Sequence, residues 1–281
     1  LIFLRVMENG GDPSSNLGRG PRLVQISEKI NKKHFSTTFF INNMAAKTKK
    51  EIYDGFEEKT LSNLWSRKRF EEHAIEIQSE VVRKGKNAVK ITIRNKDKFE
   101  DNKGKSKNTE RDEVLEDVFL WAKEGEAYSY KFSLFIPKDF PIVSTRLILA
   151  QFKHHDDNDS ALVDNPIIAL RYNDRILRIT LQTNEEKINL FKSNEEIRGK
   201  WTDFEFHVKF TRLNDGLLRV WINKKKVVDY TGVTAYSEKY GYPFPGRFHF
   251  RFGLYRDLMD IPMTAYFDEY HKIPLKNSEL K

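Results

Sequence analysis

Arg247, His249, Arg251 and Tyr255 recur at every second position late in the chain, with Gly253 between the last two. In a strand, a period of two puts all of them on one face. Arginine forks match carboxylates and sulfates. The tyrosine ring prefers partial burial, and the missing side chain at Gly253 leaves room for close approach of a ligand. A second alternating row, Leu147, Leu149, Gln151, Lys153 and His155, turns polar towards its end. Its opposite side carries Arg146, Ile148, Ala150, Phe152 and His154. A third row is Asp203, Glu205, His207 and Lys209. A groove lined by bases and aromatics suits an anionic polymer of sugars, because guanidinium groups hold the acid groups and rings stack on sugar faces. A solvated sheet face is the plainer account of any single row.

Each polar row has an apolar partner. Phe248, Phe250, Phe252 and Leu254 alternate with the first, and Phe204, Phe206, Val208 and Phe210 with the third. From Ile52 onward this period of two persists through twelve short stretches, among them Val114–Trp121, Arg146–His154, Asp203–Thr211 and Arg247–Tyr255. Such a run, divided by turn signals at Asn173-Asp174 and Asn214-Asp215-Gly216, predicts an all-β sandwich or barrel. Asn95–Glu110 reads as a charged, solvated loop, and Ser193–Gly199 as a polar connection. There is no internal repeat and no helical periodicity. Residues 51–275 read as one β domain, residues 276–281 as a short tail, and residues 1–50 as a poorly ordered extension rich in Gly, Pro and Ser breakers.

The 281 residues carry 49 Lys and Arg against 41 Asp and Glu, a formal charge of +8. Nine of those bases and only three of the acids fall in residues 1–50, so the excess belongs mostly to the extension. Basicity alone is therefore weak support for nucleic-acid binding. At 39% hydrophobic and 13% aromatic the chain can build a large core. The absence of cysteine removes disulfides, thiolate metal sites and a cysteine nucleophile. No run approaches the roughly 18 apolar residues of a membrane span. Phe35–Ile41, after Lys32-Lys33 and before Met44-Ala45-Ala46, only poorly imitates a secretory signal, since Ser36, Thr37 and Thr38 dilute it.

Four segments resemble the jelly-roll polysaccharide lyases, the group around glucuronan lyase and heparin lyase I, with alginate lyases as more distant relatives. Tyr53-Asp54-Gly55-Phe56-Glu57, followed by Trp65, resembles the opening strand of that group. Arg111-Asp112-Glu113 resembles its R-x-E element, Gln151-Phe152-Lys153-His154 its Q-x-H element, and Phe250-Arg251-Phe252-Gly253-Leu254-Tyr255 its F-K-x-G-x-Y strand. Trp201-Thr202-Asp203 and Val220-Trp221-Ile222-Asn223 add the W-x-D and V-W-x-N hairpin, which other concanavalin-like sandwiches share. The resemblance implies a jelly-roll (concanavalin-like) sandwich of two antiparallel sheets with a polar concave groove, acting by β-elimination on a uronic-acid polysaccharide. That chemistry must neutralise the uronate carboxylate, remove the C5 proton and protonate the departing O4. By resemblance Arg111 and Gln151 neutralise, Tyr255 is the acid, and Arg251 replaces a lysine that binds substrate. The departure is at the base, where Lys153 occupies the family's histidine position and His154 points away unless a bulge turns it. Lys153 could serve with a lowered pKa. His154, His155, His207 and His249 are the other candidates, while Arg247, His207, His249 and Glu113 join the substrate-binding set.

A non-catalytic carbohydrate-binding sandwich would use the same groove without an acid–base pair. A sandwich glycoside hydrolase needs two carboxylates across the scissile bond, and Glu113 to Asp117 does not fit the required alternation. No cofactor is implied. Asp156-Asp157-Asn158-Asp159 is oxygen-rich and could hold a structural Ca²⁺, although an exposed acidic loop explains it as well. The expected partner is an anionic polysaccharide, not nucleic acid or membrane, and a polymer substrate favours a secreted or surface location.

Overall fold

The computed structural model describes residues 51–66, 68–97, 108–156 and 161–280. The extension assigned to residues 1–50 lies outside the described residues. The described chain folds almost entirely as strands. In order they are β1 (Ile52–Asp54), β2 (Trp65–Ser66), β3 (Ile75–Gln78), β4 (Ala88–Ile93), β5 (Thr109–Glu116), β6 (Ala122–Lys123), β7 (Ala127–Phe135) and β8 (Leu147–His154). Then follow β9 (Ile168–Asn173), β10 (Ile176–Gln182), β11 (Lys187–Ser193), β12 (Trp201–Lys209), β13 (Gly216–Ile222), β14 (Lys225–Gly232), β15 (Arg247–Asp257) and β16 (Met263–Pro274).

Two antiparallel sheets of eight strands stack as a jelly-roll sandwich. One runs β14-β13-β12-β7-β16-β4-β3 with β1 on β16, and the other β11-β10-β9-β8-β15-β5-β2 with β6 on β15. The phenylalanine rows meet between them. Phe248, Phe250, Phe252, Phe204, Phe206 and Phe210 are each at most 2% exposed, and Phe132 and Phe152 pack against them with ring centroids 5.0–6.0 Å apart. Burying each such ring contributes about 1.5–3 kcal/mol. One polar network crosses the core. Glu116 on β5 accepts the backbone N–H of Phe250, the Tyr270 hydroxyl at 2.5 Å and Lys272 Nζ at 3.0 Å, which ties the two sheets together. Asp174 with Arg175, and Asn223 with Lys224, take positive φ in the tight hairpins β9–β10 and β13–β14.

Three details differ from the sequence expectation. The fifth strand starts at Thr109 inside the expected loop, because Glu110 is buried against Arg256 at 2.8 Å. It stops at Glu116, and Val118–Leu120 forms a 3-10 turn instead of a strand continuing to Trp121. Strand β11 is new to the fold, its exposed residues hiding the alternation that burial would have imposed.

Candidate active site

The site is assembled by strand register on the outer face of the second sheet. Directly opposed residues in antiparallel strands point the same way. Strand β15 places His249 opposite Lys153 and Arg251 opposite Gln151 on β8, and Gly253 opposite Glu113 and Tyr255 opposite Arg111 on β5. Residues from three separated segments thus share one patch. Although they face outward, Gln151, Lys153, His249, Arg251, Arg111 and Glu113 are all at most 8% exposed. Segments carrying Arg69, Trp121 and Asp164 cover them: the Arg69 carbonyl accepts Glu113 N–H at 3.0 Å, and the Trp121 ring lies 4.9 Å from His249.

Glu113 is the hub of the patch. It accepts Gln151 Nε2, pairs with Arg111 Nε at 3.1 Å, and lies 3.8 Å from Arg251 Nη1. That last nitrogen is buried and has no hydrogen-bond partner. Lys153 Nζ pairs with the Asp164 carboxylate and donates to the Asp164 carbonyl at 3.2 Å. Burial lowers the Lys153 pKa to about 8, with Asp164 opposing the shift and Arg251 and Arg111 adding to it. Burial also brings Arg251 down to about 9, reinforced by Arg69 and Arg111. His249 is held well below the ordinary histidine value by burial and by Arg251 and Lys153, so it is neutral. Glu113 and Asp164 are the carboxylates that act on Lys153 and Arg251, alongside the cations Arg69 and Arg111.

Tyr255 is half-buried beside this cluster. The Arg111 guanidinium carbon lies 4.2 Å from its ring centroid, and Arg146 Nη1 donates to its hydroxyl oxygen at 3.3 Å. Arg247 occupies the same face at the start of β15, its guanidinium 5.2 Å from the Trp121 ring centre.

Two expected site residues are elsewhere. His154 points into the sandwich, 2% exposed, with its ring 4.2 Å from Tyr242 and 4.5 Å from Phe248. Burial takes its pKa to about 3, so it neither contacts the patch nor gains a proton near neutrality. A bulge does exist in β8, but it lies at Leu149 and Ala150, before Gln151, and so does not turn His154 outward. It turns Ile148 instead, which pairs with Tyr255 and joins the outer face, while Leu147 and Leu149 enter the core. His207 stands on the other sheet, bonded to Glu205 at 2.7 Å and packed 4.5 Å from Trp221. The expected role of Gly253 also changes. At φ 137°, a Cβ there would sit 2.2 Å from the Asp112 carbonyl, so the glycine admits the neighbouring strand and not a ligand.

Sequence reading missed Arg69, Trp121 and Asp164, and it put Arg146 on the side of its strand opposite to Gln151 and Lys153, whereas the bulge at Leu149 and Ala150 joins the two faces. Arg69, Trp121 and Asp164 sit in no alternating row of the patch, and only the fold brings them over it. Among the described residues no group of three or more His, Asp or Glu side chains could hold a metal. Of the acidic run 156–159, only Asp156 lies within them, and its carboxylate accepts the Ala161 N–H at 2.6 Å. Glu113 faces the patch while Glu116 is sealed in the core, so these two carboxylates cannot flank one glycosidic bond.

A family model described as polysaccharide lyase matches residues 47–271. The fold is similar to that of an endo-β-1,4-glucuronan lyase from the fungus Trichoderma reesei, at 17% identity and TM-score 0.61, covering 82% of this chain and 97% of that one. It is similar also to alginate lyase Aly36B, solved as a double mutant with an alginate trisaccharide, at 10% identity, TM-score 0.53 and 80% and 98% coverage. The family 7 alginate lyase A1-II′ matches at 13% identity and TM-score 0.53, covering 73% of this chain and 85% of that one. At such identities the likeness is one of fold. No curated protein sequence matches the chain.

Proposed function

The chain belongs to the polysaccharide lyase family, and from that premise we propose that it cleaves a uronic-acid-containing polysaccharide by β-elimination. The observation that carries this reading is the single patch made by Arg251 opposite Gln151, His249 opposite Lys153 and Tyr255 opposite Arg111. It combines an excess of cations, a lysine poised near neutrality and a tyrosine hydroxyl. The structural neighbours named for glucuronan and alginate lyases support a uronate polymer as substrate.

In this mechanism Arg251, Arg111 and Gln151 take the uronate carboxylate, whose charge fills the open acceptor position at Arg251 Nη1. Neutral Lys153 removes the C5 proton and becomes the ammonium, which Asp164 stabilises. The electron pair left at C5 forms the C4–C5 double bond as the C4–O4 bond breaks. Tyr255 gives its proton to O4, and the resulting phenolate is flanked by Arg111 and Arg146. Proton exchange with water then restores Lys153 and Tyr255. The products are a 4,5-unsaturated uronate end and a new hydroxyl end. A polymer of this kind fits a secreted or surface location.

The test is ultraviolet absorbance of the unsaturated uronate, measured on glucuronan, alginate and glycosaminoglycans. A rise with the native chain that disappears in Tyr255→Phe is the expected result. Chain cleavage without new absorbance would mean hydrolysis and overturn the mechanism. Binding without cleavage on every polymer would favour the carbohydrate-binding reading, for which no observation in the patch speaks specifically.

A further inference from the structure

Beside the patch lies a second cationic feature, of which the elimination uses only Arg146. A cleft of about 490 Å³ opens on the same face, over β8 to β11. Arg146, Arg171, Arg178 and Lys187 line it, against a single carboxylate, Asp257. That carboxylate is already engaged, since it pairs with Arg146 Nε at 3.3 Å and accepts the Arg146 N–H at 2.9 Å. Arg171 Nε donates to the Thr180 hydroxyl at 3.2 Å and Arg178 Nη1 to the Asn173 side chain, both neutral acceptors. No carboxylate among the described residues pairs with Arg171, Arg178 or Lys187.

Register aligns this cleft with the chemistry. Tyr255 is opposite Ile148, Ile148 is opposite Arg171, and Arg171 is opposite Arg178. They form one row across four strands, with Arg111 opposite Tyr255 on the other side. At about 4.8 Å per strand, Arg171 and Arg178 lie roughly 10 and 14 Å from Tyr255 along the row. These are backbone separations of two and three strand spacings, more than the roughly one spacing that a pyranose ring covers. Holding these cations together without counter-charges is unfavourable: Arg171 has its pKa lowered by burial and then by Arg146, and Lys187 has its own lowered chiefly by Arg171.

We infer that this cleft is a second anion site, taking a carboxylate or sulfate on a sugar other than the one whose bond breaks, so that the preferred substrate is charged at several residues along its length. The inference rests on the lyase reading for the direction of the polymer, but its test does not need turnover. Arg171→Gln, Arg178→Gln and the exposed Lys187→Gln are made in a Tyr255→Phe background, with folding checked by thermal melting. Binding is then measured by affinity electrophoresis at several salt concentrations. The probes are polyglucuronate, heparin, and deacylated gellan, which carries a uronate only once per repeat. Loss of one charge-assisted contact is expected to weaken polyglucuronate or heparin by about tenfold and to leave gellan nearly unchanged. Loss confined to heparin identifies sulfate as the group held, and loss on polyglucuronate identifies carboxylate. Equal weakening on all three, or none on any, overturns the inference. A failed lyase reading appears separately, as absence of the ultraviolet product with the Tyr255 chain.

Discussion

The outer faces of the two sheets carry similar residues and differ in how their charges are matched. On the first sheet most charges that face outward are paired: Arg83 grips Asp203 at 2.8 and 3.1 Å, Lys131 and His207 share Glu205, and Lys90 meets Glu76 at 2.9 Å. Those pairs are largely exposed and contribute about 0–1 kcal/mol each. On the second sheet the bases of the patch and cleft outnumber the acids, Arg111, Lys153, His249 and Arg251 are buried, and a guanidinium nitrogen of Arg251 is left without an acceptor. A balanced exposed face needs no ligand. In the proposed reading, an anionic substrate completes the unbalanced one.

The sharpest break of this comparison is chemical. Tyr255→Phe is expected to reduce kcat by about 10²–10⁴-fold with folding intact, the range of a lost general acid. A change below tenfold would remove Tyr255 from the chemistry. The next effect is conformational. Gly253→Ala meets the Asp112 carbonyl at 2.2 Å at a positive φ, and strain of this kind costs about 1–3 kcal/mol. Denaturant unfolding should show the loss, together with lost activity, since the same contact sets Glu113 and Tyr255 in register.

Lys153 sharpens the comparison through pH. If it is the base, kcat/KM rises with pH and levels off above about 8, where the amine is neutral. Asp164 favours the charged form, so Asp164→Asn should move that rise to lower pH. An unmoved profile would assign the base elsewhere.

The back of β5 gives a smaller signal. Asp112 is buried on the core side, and burial with Asp97 nearby raises its pKa to about 8. An acid whose folded pKa lies above its unfolded value of about 3.9 gives stability that is full below pH 4 and is lost as pH rises through about 8. Asp112→Asn should therefore flatten the fall of Tm over that window and melt higher than the native chain at pH 9. Smallest of all, Glu205→Gln on the balanced face should change stability by about 0.5 kcal/mol or less and leave kcat/KM unaltered. A large loss of activity there would mean that the two faces had been assigned the wrong way round.

Much of the architecture was legible because burial on one side imposes a period of two. The rows Phe248–Leu254 and Phe204–Phe210 show that period, and both are core. Legibility failed where the rule has no force. Strand β11 is exposed on its edge, so nothing enforced alternation in Lys187–Ser193. Glu110 is buried by pairing with Arg256, and its charge disguised a strand as a loop. The site divides in the same way. Gln151, Lys153, His249, Arg251 and Tyr255 could be placed on faces by counting, whereas Arg69 and Asp164 could not, and counting across the bulge put Arg146 on the wrong side.

Composition and alternation by themselves determined an all-β sandwich, its core-facing side chains and the polar rows that could bind an acid polymer, because a pleated strand sends alternate residues to opposite sides. Only the tertiary structure decided which rows meet. The bulge at Leu149 and Ala150 put Ile148, not Leu147, beside Tyr255, and alternation carried His154 into the core. The order of strands put His207 on the far sheet and aligned Arg111, Tyr255, Arg171 and Arg178 in one row. Register and sheet order arise from long-range pairing, and no local pattern in one strand records its neighbour.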